Sequence, residues 1–150
     1  MQGSKSLAFL IASSLFGAMN LNPVYPRPFP DPFVLKYRGE YFAYCTDFWR
    51  DGKVFGVLRS RDLVNWTFLS YAVDRLDLGP SFRLEDGKNE YGRGIWAPCF
   101  RYHNGTFYIF SNVNGQTTQM FKATHPAGPW TRTPMKGSFH DLSVLFDDDG

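Results

Sequence analysis

At 150 residues the chain is long enough for one ordinary domain with a buried core. Its formal charge is +2, from 16 basic and 14 acidic residues scattered along the sequence, which leaves no electrostatic footprint for nucleic acid or an anionic membrane; an uncharged or weakly charged ligand is expected. Aromatic residues make up 18% beside 14 Gly and 10 Pro, a balance that favours strands and tight turns over long helices and predicts an all-β chain.

The first 20 residues stand apart. A single Lys5 precedes a mostly apolar run from Leu7 to Met19 with small residues inside it, which reads as a signal peptide or as an N-terminal extension, and which is too short for a membrane span. The first reading places the protein outside the cell or in the periplasm, the second in the cytoplasm. Cys45 and Cys99 lie in apolar, strand-like runs without the spacing of a zinc site; they read as buried thiols rather than as a disulfide.

From Asp31 onward the sequence repeats. "DPFVLKYRGEYFAYCT" (31–46) lies over "APCFRYHNGTFYIFSN" (97–112) without a gap, at an offset of 66 residues. Aromatics superpose at Tyr41/Phe107, Phe42/Tyr108 and Tyr44/Phe110. Each copy reads as strand, two-residue turn and strand, with Arg38-Gly39 and Asn104-Gly105 at the turn positions that demand positive φ. Downstream, Asp51-Gly52 and Asn114-Gly115 each introduce a third strand, "KVFGVLRS" and "TTQMFKAT", and a tryptophan closes each unit, Trp66 in "SRDLVNW" and Trp130 in "HPAGPW". Four short antiparallel strands per unit make the blade of a β-propeller. The polar stretch from about Asp74 to Gly94 is expected to be an inserted loop. "DLSVLFDDDG", from Asp141, reads as the first strand and turn of a third unit. Two blades and a stub do not close a ring, which takes about 4–8 blades, so residues 21–150 are expected to be the N-terminal part of a longer domain.

In this repeat Asp31, Ala97 and Asp141 share one position, at the start of the first strand. First strands line the channel of a propeller, so two aspartates are expected around one mouth, however far apart in the chain. Paired carboxylates around a pocket suit glycosidic bond cleavage, in which one activates water and another protonates the leaving oxygen. Taken singly, Asp31 and Asp141 would read as turn residues; their coincidence in the repeat raises both. Asp147, Asp148 and Asp149 fall at a hairpin tip, and Asp51 and Asp62 read as turn residues. Glu40, Glu85 and Glu90 lie beside a hairpin or in the loop and lack a partner that would make a general acid. Most aromatics are blade packing. Phe48, Trp49 and Trp96 stand at strand ends and form the candidate wall on which a sugar ring could stack. His103, His125 and His140 show no ligand spacing, and no residue is assigned to a metal.

The ordered motifs "NPVYPRPFPDPFVL", "SRDLVNW", "GIWAPCFRYHNGTFYIFSNV", "PAGPW" and "HDLSVLFDDDG" resemble the first half of glycoside hydrolase family 43, especially its β-xylosidase and α-L-arabinofuranosidase members, from about Asn22 to Gly150. The resemblance implies a five-bladed β-propeller, of which about two blades and the start of a third are present, and an inverting hydrolase with three acidic residues. Asp31, in "PDPF", matches the general base. Asp141 matches the aspartate that orients the general acid and tunes its pKa. The acid itself is a glutamate of a later blade, to which no residue here corresponds, so the 150 residues alone are expected to be inactive. The implied partner is a xylo- or arabino-saccharide from hemicellulose. No cofactor is expected within these residues; any ion in the channel of the full protein would be bound by residues of later blades. Leu142-Ser143 stands where the family usually has Pro-Ser, and the N-terminal 20 residues match nothing. A non-catalytic carbohydrate-binding propeller and an endo-arabinanase of the same fold are the alternatives; the first has no need of both aspartates.

Overall fold

A computed structural model of the chain describes residues 25–46, 54–83, 85–87, 95–113 and 115–148. They contain eight strands and no helix: β1 (Phe33–Tyr37), β2 (Glu40–Tyr44), β3 (Val54–Ser60), β4 (Thr67–Val73), β5 (Ile95–His103), β6 (Thr106–Val113), β7 (Thr118–Ala123) and β8 (Thr131–Pro134). They form two antiparallel meanders, β1-β2-β3-β4 and β5-β6-β7-β8, the two units read from the repeat. The tryptophans do not end the units. Trp66 and Trp130 each stand just before the fourth strand, because the loop that follows the third strand is what they close.

Turn chemistry fixes the registers. Arg38 and Gly39 have φ of +48° and +81°, Asn104 and Gly105 +45° and +81°, so both hairpins turn on two consecutive left-handed residues, the geometry that matches the twist of the flanking strands. Phe33 then pairs with Tyr44 and Tyr37 with Glu40. In the second sheet the register slips by one residue between Trp96 and Cys99, a bulge at Ala97-Pro98, where proline has no N–H to give a ladder.

The two sheets pack through aromatic rings. Alternate residues of β1, namely Phe33, Leu35 and Tyr37, face the second sheet, as a period of two requires. Tyr44 meets Phe100 at 3.9 Å between centroids, Tyr37 meets Phe107 at 4.9 Å and Phe55 meets Phe121 at 5.6 Å. The Tyr44 hydroxyl, buried at the centre, donates to the carbonyl of Pro126 at 2.6 Å, so burying this ring does not strand its polar end; burial also pushes the Tyr44 hydroxyl pKa far above the ordinary tyrosine value. Cys45 and Cys99 are both buried thiols.

The connection between the sheets is more than an inserted polar loop. Leu76 and Phe82 drop from it into the core with relative exposures of 0% and 6%. Arg83 bridges Asp77 and Glu85, and Arg132 of β8 donates to the carbonyl of Asp77 at 3.1 Å. The loop thereby laces the second sheet to the first.

Candidate active site

β1 and β5 run side by side in the same direction, as two contacts at successive levels show: Phe33 against Phe100 and Tyr37 against Tyr102. Residues 142–148 run alongside β5 in that same sense, with Arg101 bonded to Ser143 and Val144 and His103 stacked on Phe146 at 4.4 Å. They carry no strand assignment, because the first strand of a meander takes its ladder from the strand after it. The starting ends of all three segments therefore lie at one end of the sheets, and Asp31, Trp96 and Asp141 stand there.

Asp31 and Asp141 share a further property. Both are non-glycine residues with φ of +50°, a left-handed backbone that Asp tolerates better than most side chains but that still costs free energy. Ala97, the residue between them in the repeat, is absent from that conformation and sits in the β5 bulge. Two repeat-equivalent aspartates thus share the same unusual φ just before the segments that follow them. Both carboxylates are exposed, as groups that meet a soluble ligand must be.

The carboxylate of Asp31 is held from behind. Thr46, itself buried, donates its hydroxyl to Asp31 Oδ2 at 2.8 Å and its N–H to the carbonyl of Pro30 at 3.1 Å. The sequence reading did not single out Thr46. The signal was nevertheless present: a two-residue turn at 38–39 fixes Phe33 opposite Tyr44, and continuing that register sets Thr46 opposite Asp31. Asp141 is delivered by a strap that leaves β8. Met135 N–H donates to Thr118 O, Thr118 N–H to Gly137 O and Phe139 N–H to Thr118 Oγ1, at 2.8, 2.9 and 2.8 Å. Ser138 Oγ adds bonds to Asn112 Oδ1 and Gln116 O at 3.0 and 2.9 Å. Next to Asp141, His140 Nε2 lies 3.6 Å from its Oδ2, a contact too long for a hydrogen bond.

Trp96 is half-buried on β5, its carbonyl accepting from Ser111 Oγ at 2.6 Å. Phe48 and Trp49, the other two members of the candidate aromatic wall, lie outside the described residues, as does Asp149. Of the other acids, Asp51 and Glu90 also lie outside the described residues, and Glu40 and Asp62 have structural duties. Glu40 pairs with Arg59 and Arg61, and hydrogen bonds from Arg59 first and Arg61 second hold its carboxyl below the usual range, the opposite of what a general acid needs. Asp62 accepts from Asn65 N–H, Asn65 Nδ2, Val64 N–H and Ser60 Oγ. The bonds from Asn65, then that from Val64, hold it well below the ordinary carboxylate value, so "SRDLVNW" is a capped turn. Among the described residues no three His, Cys, Asp or Glu side chains converge on a point.

Comparison with known proteins decides the family. The model of the glycosyl hydrolases family 43 matches residues 20–150. The chain belongs to glycosyl hydrolases family 43. Within the family it is 31% identical over 129 residues to a putative beta-xylosidase of Xylanibacter ruminicola, a match that covers 84% of this chain and 24% of that protein. It is 33% identical over 132 residues to a non-reducing end alpha-L-arabinofuranosidase of Bacteroides ovatus, over 85% of this chain and 24% of that one. The fold agrees. A xylan beta-1,4-xylosidase from Bacillus halodurans superposes with a TM-score of 0.72 at 31% identity, over 86% of this chain and 25% of the other, and a bifunctional GH43-CE protein of Bacteroides eggerthii with a TM-score of 0.74 at 36% identity, over 87% and 18%. The two sheets are thus propeller blades of a family 43 domain, and the chain spans about a quarter of the length of the curated relatives it matches.

Proposed function

We propose that this chain supplies two blades and two of the three acidic residues of a glycosidase that removes xylose or arabinose from hemicellulose-derived saccharides with inversion at the anomeric carbon. The observation that carries the reading is that Asp31 and Asp141, alike in repeat position and in φ, stand at the same end of the two segments that flank β5. In this account the Asp31 carboxylate takes a proton from a water molecule, whose oxygen attacks the anomeric carbon as the bond to the leaving oxygen breaks. A glutamate from a later blade protonates that leaving oxygen, and Asp141 orients the glutamate and keeps it protonated by its negative charge. Base and acid stand about 6.5–9.5 Å apart in such enzymes to admit the water. Trp96 offers a face for the sugar ring. Relatives described as xylosidases and arabinofuranosidases support a pentose substrate without choosing between the two.

The stereochemistry of the first product tests the mechanism. A completed chain, in which the remaining blades follow residue 150, is incubated with an aryl β-xyloside or α-arabinofuranoside and followed by proton NMR. The expected first product has the anomeric configuration opposite to the substrate's. Retention would assign Asp31 a nucleophile's role and contradict the water-activating one.

A further inference from the structure

Arg101 has no counterpart in the first blade, where the repeat sets Leu35 at its position. From β5 its guanidinium reaches three segments at once. Nη1 donates to Phe100 O of its own strand at 2.9 Å, Nε donates to Val144 O at 2.6 Å, and Nη2 donates to Ser143 Oγ at 2.9 Å. The same group lies 4.9 Å over the ring centroid of Phe33 in β1. Phe33 is two residues beyond Asp31, and Ser143 is two residues beyond Asp141. One side chain therefore grips the segments of both aspartates at the same step after each. With a rise of about 3.3 Å per residue, each aspartate stands only about 7 Å along the chain from that grip.

Ser143 and Val144 have no strand ladder among the described residues, and the two bonds from Arg101 tie them to β5. Arginine suits the task because its planar fork holds two acceptors in a fixed geometry while its face lies on an aromatic ring. We propose that Arg101 is a positioning residue that sets the separation of Asp31 and Asp141 across the channel mouth. The inference rests on the catalytic reading of those aspartates. Arg101 touches neither carboxylate and takes no part in proton transfer; it acts through the segments that carry them.

The test uses the completed chain and its Arg101→Lys and Arg101→Gln variants, with Arg132→Lys as a control in the same sheet. A misplacement of about 1 Å can cost about 100-fold in rate. For Arg101→Lys, which keeps the charge and loses the fork, kcat is expected to fall about 10- to 100-fold while KM changes less than about threefold. The alkaline limb of the pH profile of kcat/KM is expected to move to lower pH, because an Asp141 carboxylate drawn away from the general acid no longer opposes loss of its proton. Arg132→Lys, which perturbs the link to Asp77, should leave both kcat and the profile in place. Unchanged kcat and pH profile in folded Arg101→Lys and Arg101→Gln overturn the proposal, and so does unfolding of both variants, which makes Arg101 a stability element. If the unsubstituted completed chain shows no turnover, the catalytic reading fails and the proposal goes with it; turnover by Arg101→Lys at the parental kcat removes the proposal alone.

Discussion

The Asp31 carboxylate is exposed to solvent at one side and takes a hydroxyl hydrogen bond from buried Thr46 at the other. A base in this setting keeps its reach toward a water molecule while one oxygen is fixed in direction. Hydrogen bonds to a charged group contribute about 1.5–3 kcal/mol, and exposure puts this one at the lower end. Thr46→Val, which keeps shape and the backbone bond to Pro30 O, is predicted to lower kcat of the completed chain about tenfold with KM nearly unchanged, measured by steady-state kinetics. Asp62 makes a different residue-scale prediction. Its folded pKa is depressed by bonds from Asn65 and Val64, so its contribution to stability is present above the unfolded value of about 3.9 and is lost as pH falls through the folded one. Asp62→Asn is expected to be less stable than the parent at neutral pH in urea titrations, and the gap is expected to shrink as the pH falls below about 4. Of these residues, Asp31, Asp62 and Asp141 could be found in the sequence because repeat position and turn chemistry mark them. Thr46 was also within reach, through the register that a two-residue turn imposes. Arg101 was not, because its partners, Phe33 in one segment and Ser143 and Val144 in another, meet it only through blade packing.

At the scale of elements, the hairpins show why so much of the architecture is local. Arg38-Gly39 and Asn104-Gly105 dictate the turn, the turn dictates the register, and the register places Phe33, Leu35 and Tyr37 on the face that meets the next blade. Nothing lies within 4 Å of a Cβ added at Gly39, so Gly39→Ala isolates the backbone term. At φ of +81° an alanine is expected to cost about 1 kcal/mol, read as a lower urea midpoint with an unchanged m-value. The loop between the sheets was less legible. Its polar composition suggested an insertion, yet Leu76 and Phe82 fill the core; two apolar side chains among charged neighbours do not announce their burial until the second sheet supplies the surface against which they pack. The third unit differs from the first two for a related reason. Residues 142–148 follow β5 through Arg101, Phe146 and His103 rather than through a ladder, because antiparallel pairing needs a second strand.

For the whole molecule, Asp31 of the first unit and Asp141 of the third stand at one end of segments that flank β5, and in the proposed reaction the general acid comes from another blade. The propeller solves by closure what sequence spacing cannot, since residues separated by 110 positions reach one mouth without any local motif joining them. The fold class was therefore legible from an internal repeat, and so was the equivalent placement of the two aspartates, whereas the repeat carries no signal that chooses between xylose and arabinose in the proposed reaction. In the proposed reaction Asp31 does chemistry and is not merely a turn residue. The direct measurement is turnover of an aryl xyloside and an aryl arabinofuranoside by the completed chain, by its Asp31→Asn variant and by residues 1–150 alone. Turnover is expected from the completed chain, with a fall of about 10²–10⁴-fold in Asp31→Asn with sugar binding retained, and none from residues 1–150. Near-parental turnover in Asp31→Asn, or turnover by the 150 residues alone, would contradict the proposed reaction.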